Sequence, residues 1–168
     1  MIKSLILEQE NKLKFMDKIK AFWETFLIDK QLNKNTIYDG HFHFELTENS
    51  ANELLELVLI GQKKATASSY ESYMLENQKL PKIGDLNIIT DFYGNPKGVI
   101  KTTKITILPF KDLTFDIVKR EGEDDTLESW QKNHRKFFTQ EGKELGYTFN
   151  EDMKVVFEDF KLIYKIKS

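Results

Sequence analysis

The chain contains no cysteine. This excludes disulfide bonds, a cysteine nucleophile, and zinc or iron–sulfur sites with cysteine ligands. The absence agrees with a reducing compartment, so we expect a cytoplasmic protein. Long apolar runs are also missing: the longest covers residues 57–60, whereas a membrane-spanning helix needs about 18 residues or more. The N-terminus is charged too early to resemble a signal peptide.

Common catalytic and cofactor motifs are absent as well. There is no GxxxxGK[ST], GxGxxG, GxSxG or HExxH pattern, so we predict no cofactor. His41 and His43 alternate and could share one face of a short strand. Two histidines without a third ligand are weak evidence for a metal site, and we predict none.

The composition is that of a globular protein, with 168 residues, 40% hydrophobic and 31% charged. This length is enough for one domain with a sizeable core, and 13 Phe predict an aromatic-rich one. The net charge is only −2, but residues 61–111 hold 8 basic and 4 acidic side chains. This local positive field favours an anionic or nucleotide-like ligand. The whole chain is not basic enough for tight, non-specific binding of long nucleic acid.

Hydrophobic periodicity predicts helices, then strands, then helices, then a final strand. We expect helices over 11–27, 51–60, 114–120 and 126–145, and strands over 64–69, 86–92 and 97–108. The C-terminus alternates, which predicts a strand with Phe160, Leu162, Tyr164 and Ile166 buried and Lys161 and Lys165 exposed. Regular βαβ alternation is missing, so we predict an α+β fold with a mostly antiparallel sheet curled into a small barrel and helices outside.

The segment from Gly61 to Ser69 changes abruptly from a helical pattern to small and hydroxyl residues. Gly61 is well placed to end the preceding helix, and Lys63, Thr66 and Ser68 follow it closely. A desolvated lysine beside a hydroxyl can take its proton, so we expect a lowered Lys63 pKa and a position outside the core. The alternative is a capping glycine followed by a solvated Lys-Thr strand.

An acidic loop, residues 121–125, precedes the helix that starts near Thr126. Asp124 and Asp125 suit the N-terminal end of that helix, whereas Glu121 or Glu123 could fold back to meet Lys63. His134 falls on the apolar stripe of the helix. It is either a core-edge histidine with a satisfied hydrogen bond or a substrate contact.

Together these segments resemble the ASCH domain family. Gly61-Gln62-Lys63-Lys64-Ala65-Thr66-Ala67-Ser68 is similar to its G-x-K-x-x-T motif. The resemblance continues, over roughly residues 50–166, in residues 80–85, 94–96, 102–103, 109–110, 121–124, Trp130, His134 and 137–138. We therefore expect one ASCH domain over 1–168, with residues 1–45 as the helical extension of longer bacterial members and 46–168 as the core.

The resemblance implies a PUA-like antiparallel β-barrel with flanking helices. ASCH domains were proposed to bind RNA beside the motif, some members are reported as ribonucleases, and a small bacterial branch hydrolyses the amide of N4-acylated cytidines. In that branch a Lys and a Thr of the motif act with a later Glu, which by position are Lys63, Thr66 and Glu123. The branch also has an Arg where this chain has Ser68, which puts the substrate in doubt.

We therefore predict recognition of a modified pyrimidine nucleoside or single-stranded RNA, with amide hydrolysis by Lys63, Thr66 and Glu123. A non-catalytic RNA-binding module and an RNA-cleaving enzyme stay open as alternatives. Further ligand contacts are expected from Ser68, Lys82, Tyr93, Lys101, Glu121 and His134. Phe92 and Tyr93 would provide base stacking in the RNA-binding alternative.

Overall fold

The computed structural model describes residues 2–166, with side chains from residue 11 onward. Its helices are α1 Ile2–Asp29, α2 Glu48–Leu59, α3 Tyr70–Leu75, α4 Phe115–Val118 and α5 Leu127–Leu145. Its strands are β1 Gly40–Phe42, β2 Ala65–Ser69, β3 Leu86–Thr90, β4 Pro96–Pro109 and β5 Lys154–Lys165. No helix in the described part of the chain is long and apolar enough to cross a membrane.

The five strands form one sheet in the order β1-β3-β4-β5-β2, and the predicted α+β class is confirmed. β2 pairs with β5 in the antiparallel direction that was predicted. β1 pairs with β3 in parallel, a pairing that the prediction of a mostly antiparallel sheet did not specify. The hydrophobic pattern of a three-residue strand carries no information on the direction of its partner, and Leu86–Thr90 lies more than 40 residues away in sequence.

Local periodicity predicted α1, α2 and α5 well, because each has an apolar stripe along one side. Thr126 begins α5 as an N-cap, its side chain accepting a hydrogen bond from the Ser129 amide, and Gly146 ends it at φ 91°. The short helix α3 was not predicted. Ser69 caps it by accepting the Ser72 amide, so the chain turns into a helix directly from β2.

The chain divides into two compact units, and each has its own core. The first unit comprises residues 1–59, 86–100 and 162–168. Its core is formed by one face of α1 packed on β3 and β4, through Ile19, Phe22, Trp23, Phe26, Leu27, Ile88 and Val99. Aromatic side chains make up much of this core, as the phenylalanine content predicted.

The second unit comprises residues 60–85 and 101–161. Its core packs α5 and the segment after β4 against β2 and β5, through Ala65, Phe110, Leu113, Val118, Trp130, Phe138, Met153, Val155 and Phe157. Phe110 stacks on Trp130 with ring centroids 5.5 Å apart. This core fixes one face of β2 and therefore the direction in which every β2 side chain points.

β5 begins six residues earlier than the predicted alternation and is buried on both faces from Val155 to Phe160. It is an inner strand of the sheet, with β4 and β2 as neighbours, and side chains on both of its faces are buried over this stretch. In its last part the prediction is largely confirmed: Phe160 is buried, Leu162 and Tyr164 are half-buried, and Lys161 and Lys165 are exposed. Ile166, expected inside, is 50% exposed because it lies past the end of the strand.

Candidate functional site

Lys63 lies between the end of α2 and the start of β2. Gly61 adopts φ 80°, a left-handed conformation that ends the helix and turns the chain toward the core. The Lys63 side chain is only 2% exposed. The expectation that it lies outside the core is therefore wrong. A buried ammonium requires compensating negative charge, and two carboxylates provide it.

Those carboxylates come from the loop Glu121-Gly122-Glu123, which runs beside the motif. The Lys64 amide donates to the Arg120 carbonyl at 3.0 Å, and Gln62 Nε2 donates to the Gly122 carbonyl at 2.7 Å. Gly122 has φ 71°, and a Cβ there would lie 2.5 Å from the Gln62 carbonyl oxygen. Only glycine fits both the backbone angle and this approach.

Glu121 is the centre of the resulting network. Its Oε1 accepts from the Ala67 amide at 2.9 Å and lies 3.4 Å from Lys63 Nζ. Its Oε2 accepts from Trp130 Nε1 and lies 3.1 Å from His134 Nε2. The Ala67 amide belongs to β2, an edge strand of the sheet, so Glu121 also satisfies a backbone donor at that edge. One buried carboxylate thus holds a strand, a helix and the lysine together.

His134 stacks on Trp130, with ring centroids 3.9 Å apart. Its Nδ1 lies 2.9 Å from the Trp130 carbonyl oxygen, while Nε2 faces Glu121. Both ring nitrogens therefore meet acceptors, an arrangement that only the imidazolium form satisfies fully. The side chain is buried and its partners are internal. Of the two interpretations from the sequence, this favours a core histidine over a substrate contact.

The charges of this cluster are set by mutual compensation. Burial alone would raise the Glu121 pKa, but Lys63, His134 and the Trp130 hydrogen bond outweigh burial and lower it to about 2. Burial alone would lower the Lys63 pKa, but Glu121 and Glu123 outweigh it and raise the pKa above its ordinary value. The expected fall of the Lys63 pKa toward neutrality is therefore wrong. Lys63 is a permanent cation.

Glu123 differs from Glu121 although both contact Lys63. Burial raises its pKa, and the negative charge of Glu121 adds to that rise despite the contact with Lys63 Nζ. Its side chain is 16% exposed, compared with 2% for Glu121 and 1% for Lys63. Glu123 is thus the member of this trio that solvent reaches most, and the carboxylate of the pair whose pKa is raised. Such a divergent carboxylate pair is typical of acid–base sites.

Thr66 and Ser68 lie on β2, and their side chains are half-buried. Ala65 and Ala67 pack against the core of the second unit, so Thr66 and Ser68 point to the opposite face of the strand. In the sheet register, Thr66 lies across from Glu158 and Ser68 from Val156. Ser68 also forms a hydrogen bond with the Tyr73 hydroxyl.

The other predicted ligand contacts are distributed differently. Lys82 and Lys101 are exposed in the second unit. Tyr93 belongs to the first unit, where its hydroxyl donates to Glu48 at 2.8 Å. There it lines a cleft of about 430 Å³ together with Phe15, His41, Phe42, His43, Thr90, Phe92 and Gly94. Phe92 and Tyr93 meet edge to face, with ring centroids 5.6 Å apart.

Sequence reasoning did not assign a role to Trp130, Gly122 or the Ala67 amide in this site. A signal for Trp130 was available, because it precedes His134 by one helical turn and its indole N–H needs an acceptor when buried. The glycine between two glutamates was also a signal for a left-handed turn. Among the described residues, no three His, Asp or Glu side chains group in a way that could hold a metal ion.

The comparisons with known proteins agree with this motif and fold. The family model of the ASCH domain matches residues 41–164. The chain belongs to the ASCH domain family. An ASCH domain is a PUA-like fold usually proposed to bind RNA, so the predicted family and fold class are confirmed. The match begins before residue 46, the predicted start of the core, and includes β1.

Two solved structures are similar over most of their length. The ASCH domain from Lactobacillus crispatus JV V101 is 31% identical with a TM-score of 0.79, covering 88% of this chain and 95% of that one. A protein from Enterococcus faecalis V583 is 30% identical with a TM-score of 0.80, and the match covers 89% of this chain and 90% of that protein. No functionally curated protein matches this ASCH chain.

Proposed function

We propose that this ASCH domain hydrolyses the amide of an N4-acylated cytidine-type nucleoside at the centre formed by Lys63, Glu121 and Glu123. The observation that carries the proposal is a buried ammonium between two carboxylates with opposite pKa shifts. Glu121 is an ionised anchor, whereas Glu123 can carry a proton near the solvent side. A fixed positive charge and a proton carrier are the two elements that amide cleavage needs.

In this mechanism the hydroxyl of Thr66 attacks the acyl carbon, and the positive charge of Lys63 stabilises the oxyanion that develops. Glu123 gives its proton to N4 of the leaving cytidine. Lys63 is thus an electrostatic residue and not a base, because its pKa is raised. Ser68 and Tyr73, joined by a hydrogen bond on the same side of β2 as Thr66, would border the bound nucleoside.

The experiment follows release of cytidine and acetate from N4-acetylcytidine, with longer N4-acyl groups and unmodified cytidine for comparison. Glu123→Gln and Thr66→Val should each lower kcat by at least about 10²-fold, which is the smallest usual contribution of a general acid or base. Lys64→Met, which removes an exposed neighbouring ammonium, is the matched control and should keep full activity. Wild-type protein that releases nothing from the whole series would refute the proposed hydrolysis.

The second candidate is a non-catalytic RNA-binding module, favoured by the aromatic cleft of the first unit. Bases of single-stranded RNA stack on aromatic rings at about 1–3 kcal/mol each. Tyr93→Ala and Phe92→Ala should then each weaken the binding of a short RNA. Titration of single-stranded RNA against the wild type and both variants measures this effect. RNA affinity that is unchanged by both substitutions would exclude the stacking cleft.

A further inference from the structure

The buried carboxylate of Glu158 lies directly across the sheet from Thr66. β2 and β5 are antiparallel, and their register pairs Thr66 with Glu158. Side chains that are paired in this way point to the same face, with Cβ atoms about 5 Å apart, which brings a carboxylate within reach of the opposite hydroxyl. Glu158 is 7% exposed and Thr66 is half-buried. A titratable group is therefore enclosed beside the predicted nucleophile.

The surroundings of Glu158 are rich in hydroxyl groups. Thr102 on β4 donates its hydroxyl to Glu158 Oε1. The negative charge of Glu158 contributes to raising the pKa of Tyr73 on α3. Tyr73 also forms a hydrogen bond with Ser68, the next β2 residue on the face that carries Thr66. Its own phenol has a pKa of about 12 because of burial, so it stays protonated. Thr66 therefore faces a polar group of side chains that includes the Glu158 carboxylate, which lies opposite it in the strand pair.

The protonation of Glu158 is adjustable. Burial raises its pKa, the nearby charge of Asp85 raises it further, and the Thr102 hydrogen bond opposes the rise. No basic side chain contributes to this balance. This contrasts with Glu121, whose pKa is lowered by two cations. A carboxylate with a raised pKa is a better proton acceptor than an ordinary one, provided the pH is high enough to ionise it.

The Lys63 cluster leaves one step of the proposed hydrolysis without a proton acceptor. Lys63 is already protonated and Glu121 is held by four donors, so neither takes the proton of Thr66. We infer that Glu158 is the general base that deprotonates Thr66. This inference rests on the proposed function and adds a residue from β5 to it.

The proton balance closes over the full cycle. In the first half, the Thr66 proton moves to Glu158, the Thr66 oxygen bonds to the acyl carbon, and the C–N4 bond breaks as Glu123 protonates N4. In the second half, water attacks the acyl ester and gives its proton to the ionised Glu123. The ester bond to Thr66 breaks, and the Thr66 oxygen takes its proton back from Glu158. The net reaction is acylcytidine and water to cytidine and carboxylic acid.

The test compares Glu158→Gln with wild type on N4-acetylcytidine across pH. Glutamine keeps the shape and can still accept the Thr102 hydroxyl, but it cannot take a proton. We expect kcat to fall by at least about 10²-fold with KM changed by less than about threefold, and the acid limb of the pH profile to disappear. Glu123→Gln should remove the alkaline limb instead. Glu141→Gln, which alters a carboxylate on α5 that accepts hydrogen bonds from Ser69 and Tyr147, should keep both limbs.

Thr102→Val provides a second measurement if Glu158→Gln fails to fold. It removes the hydrogen bond that lowers the Glu158 pKa, so the acid limb should move to higher pH. An active wild type whose kcat is unchanged in Glu158→Gln, or whose acid limb is unmoved in Thr102→Val, overturns the role of Glu158 while the proposed hydrolysis stands. A wild type without turnover overturns the hydrolysis and the role of Glu158 together.

Discussion

Replacing Lys63 by methionine removes the charge from the centre of the buried cluster while keeping a side chain of similar length. Glu121 then remains buried with its charge compensated only by His134 and neutral donors. Breaking a buried ion pair on one side costs about 3–5 kcal/mol, because the other charge is left uncompensated. We expect Lys63→Met to destabilise the protein by this amount.

The pKa of Glu121 points in the same direction. Folding lowers it from the ordinary 4.5 to about 2, because the charges of Lys63 and His134 and the Trp130 hydrogen bond outweigh burial, so the charged form of Glu121 is stabilised in the folded protein. A typical domain has only about 5–15 kcal/mol of total stability, so this single substitution removes a large fraction of it.

Urea unfolding measures the effect, with Trp130 fluorescence as the reporter because its indole donates to Glu121. A Trp23→Phe background removes the tryptophan of the first unit, so the signal comes from the second unit alone. Lys64→Met is the control and should change stability by less than about 0.5 kcal/mol. If Lys63→Met unfolds within about 1 kcal/mol of the background protein, the buried ion-pair reasoning is wrong.

Three further predictions concern stability. Gly122→Ala should cost several times more than Gly61→Ala in urea unfolding, because both have positive φ but only Gly122 meets a neighbouring carbonyl; equal costs would mean that backbone strain alone matters. The raised His134 pKa contributes stability that is full below about 6.5, its unfolded value, and lost as pH rises through the folded pKa. His134→Gln should therefore remove most of that pH-dependent loss, and an unchanged pH profile would contradict it. Phe160→Ala should destabilise the protein by about 3–5 kcal/mol, more than Leu162→Ala, since Phe160 is 3% exposed and Leu162 is half-buried. Thermal unfolding of both variants measures the difference, and equal losses of stability would contradict the prediction.

The parts of the fold that could be predicted are those with local causes. The stripe of α1, the start of α5 near Thr126 and the glycine stop at Gly61 each depend on residues within one or two helical turns. The parallel pairing of β1 depends on which strand becomes its neighbour, and the continuous burial of β5 depends on what packs against its two faces. Neither property is present in the local pattern of the segment.

The candidate site likewise combines features that the local sequence predicts with features that depend on the fold. Motif spacing indicated Lys63, and the acidic loop indicated that a glutamate could reach it. The sign of the Lys63 pKa shift depends on how many carboxylates contact its ammonium group. Both Glu121 and Glu123 contact it. Desolvation by one wall of apolar side chains would have lowered the pKa, whereas two negative charges raise it. A sequence motif gives the residue type at a position but not the charge balance around it.

The geometry of Gly122 explains how two glutamates two positions apart acquire different roles. Its left-handed backbone lets both flanking side chains reach the same ammonium while its own backbone packs on the Gln62 carbonyl. Glu121 is on the inner side, where an amide, an indole and an imidazole complete its coordination. Glu123 is on the outer side, where its side chain contacts Lys63 and is partly exposed to solvent. In the proposed hydrolysis, Glu121 would fix the lysine, which would leave Glu123 free to gain or lose a proton as an acid–base residue requires.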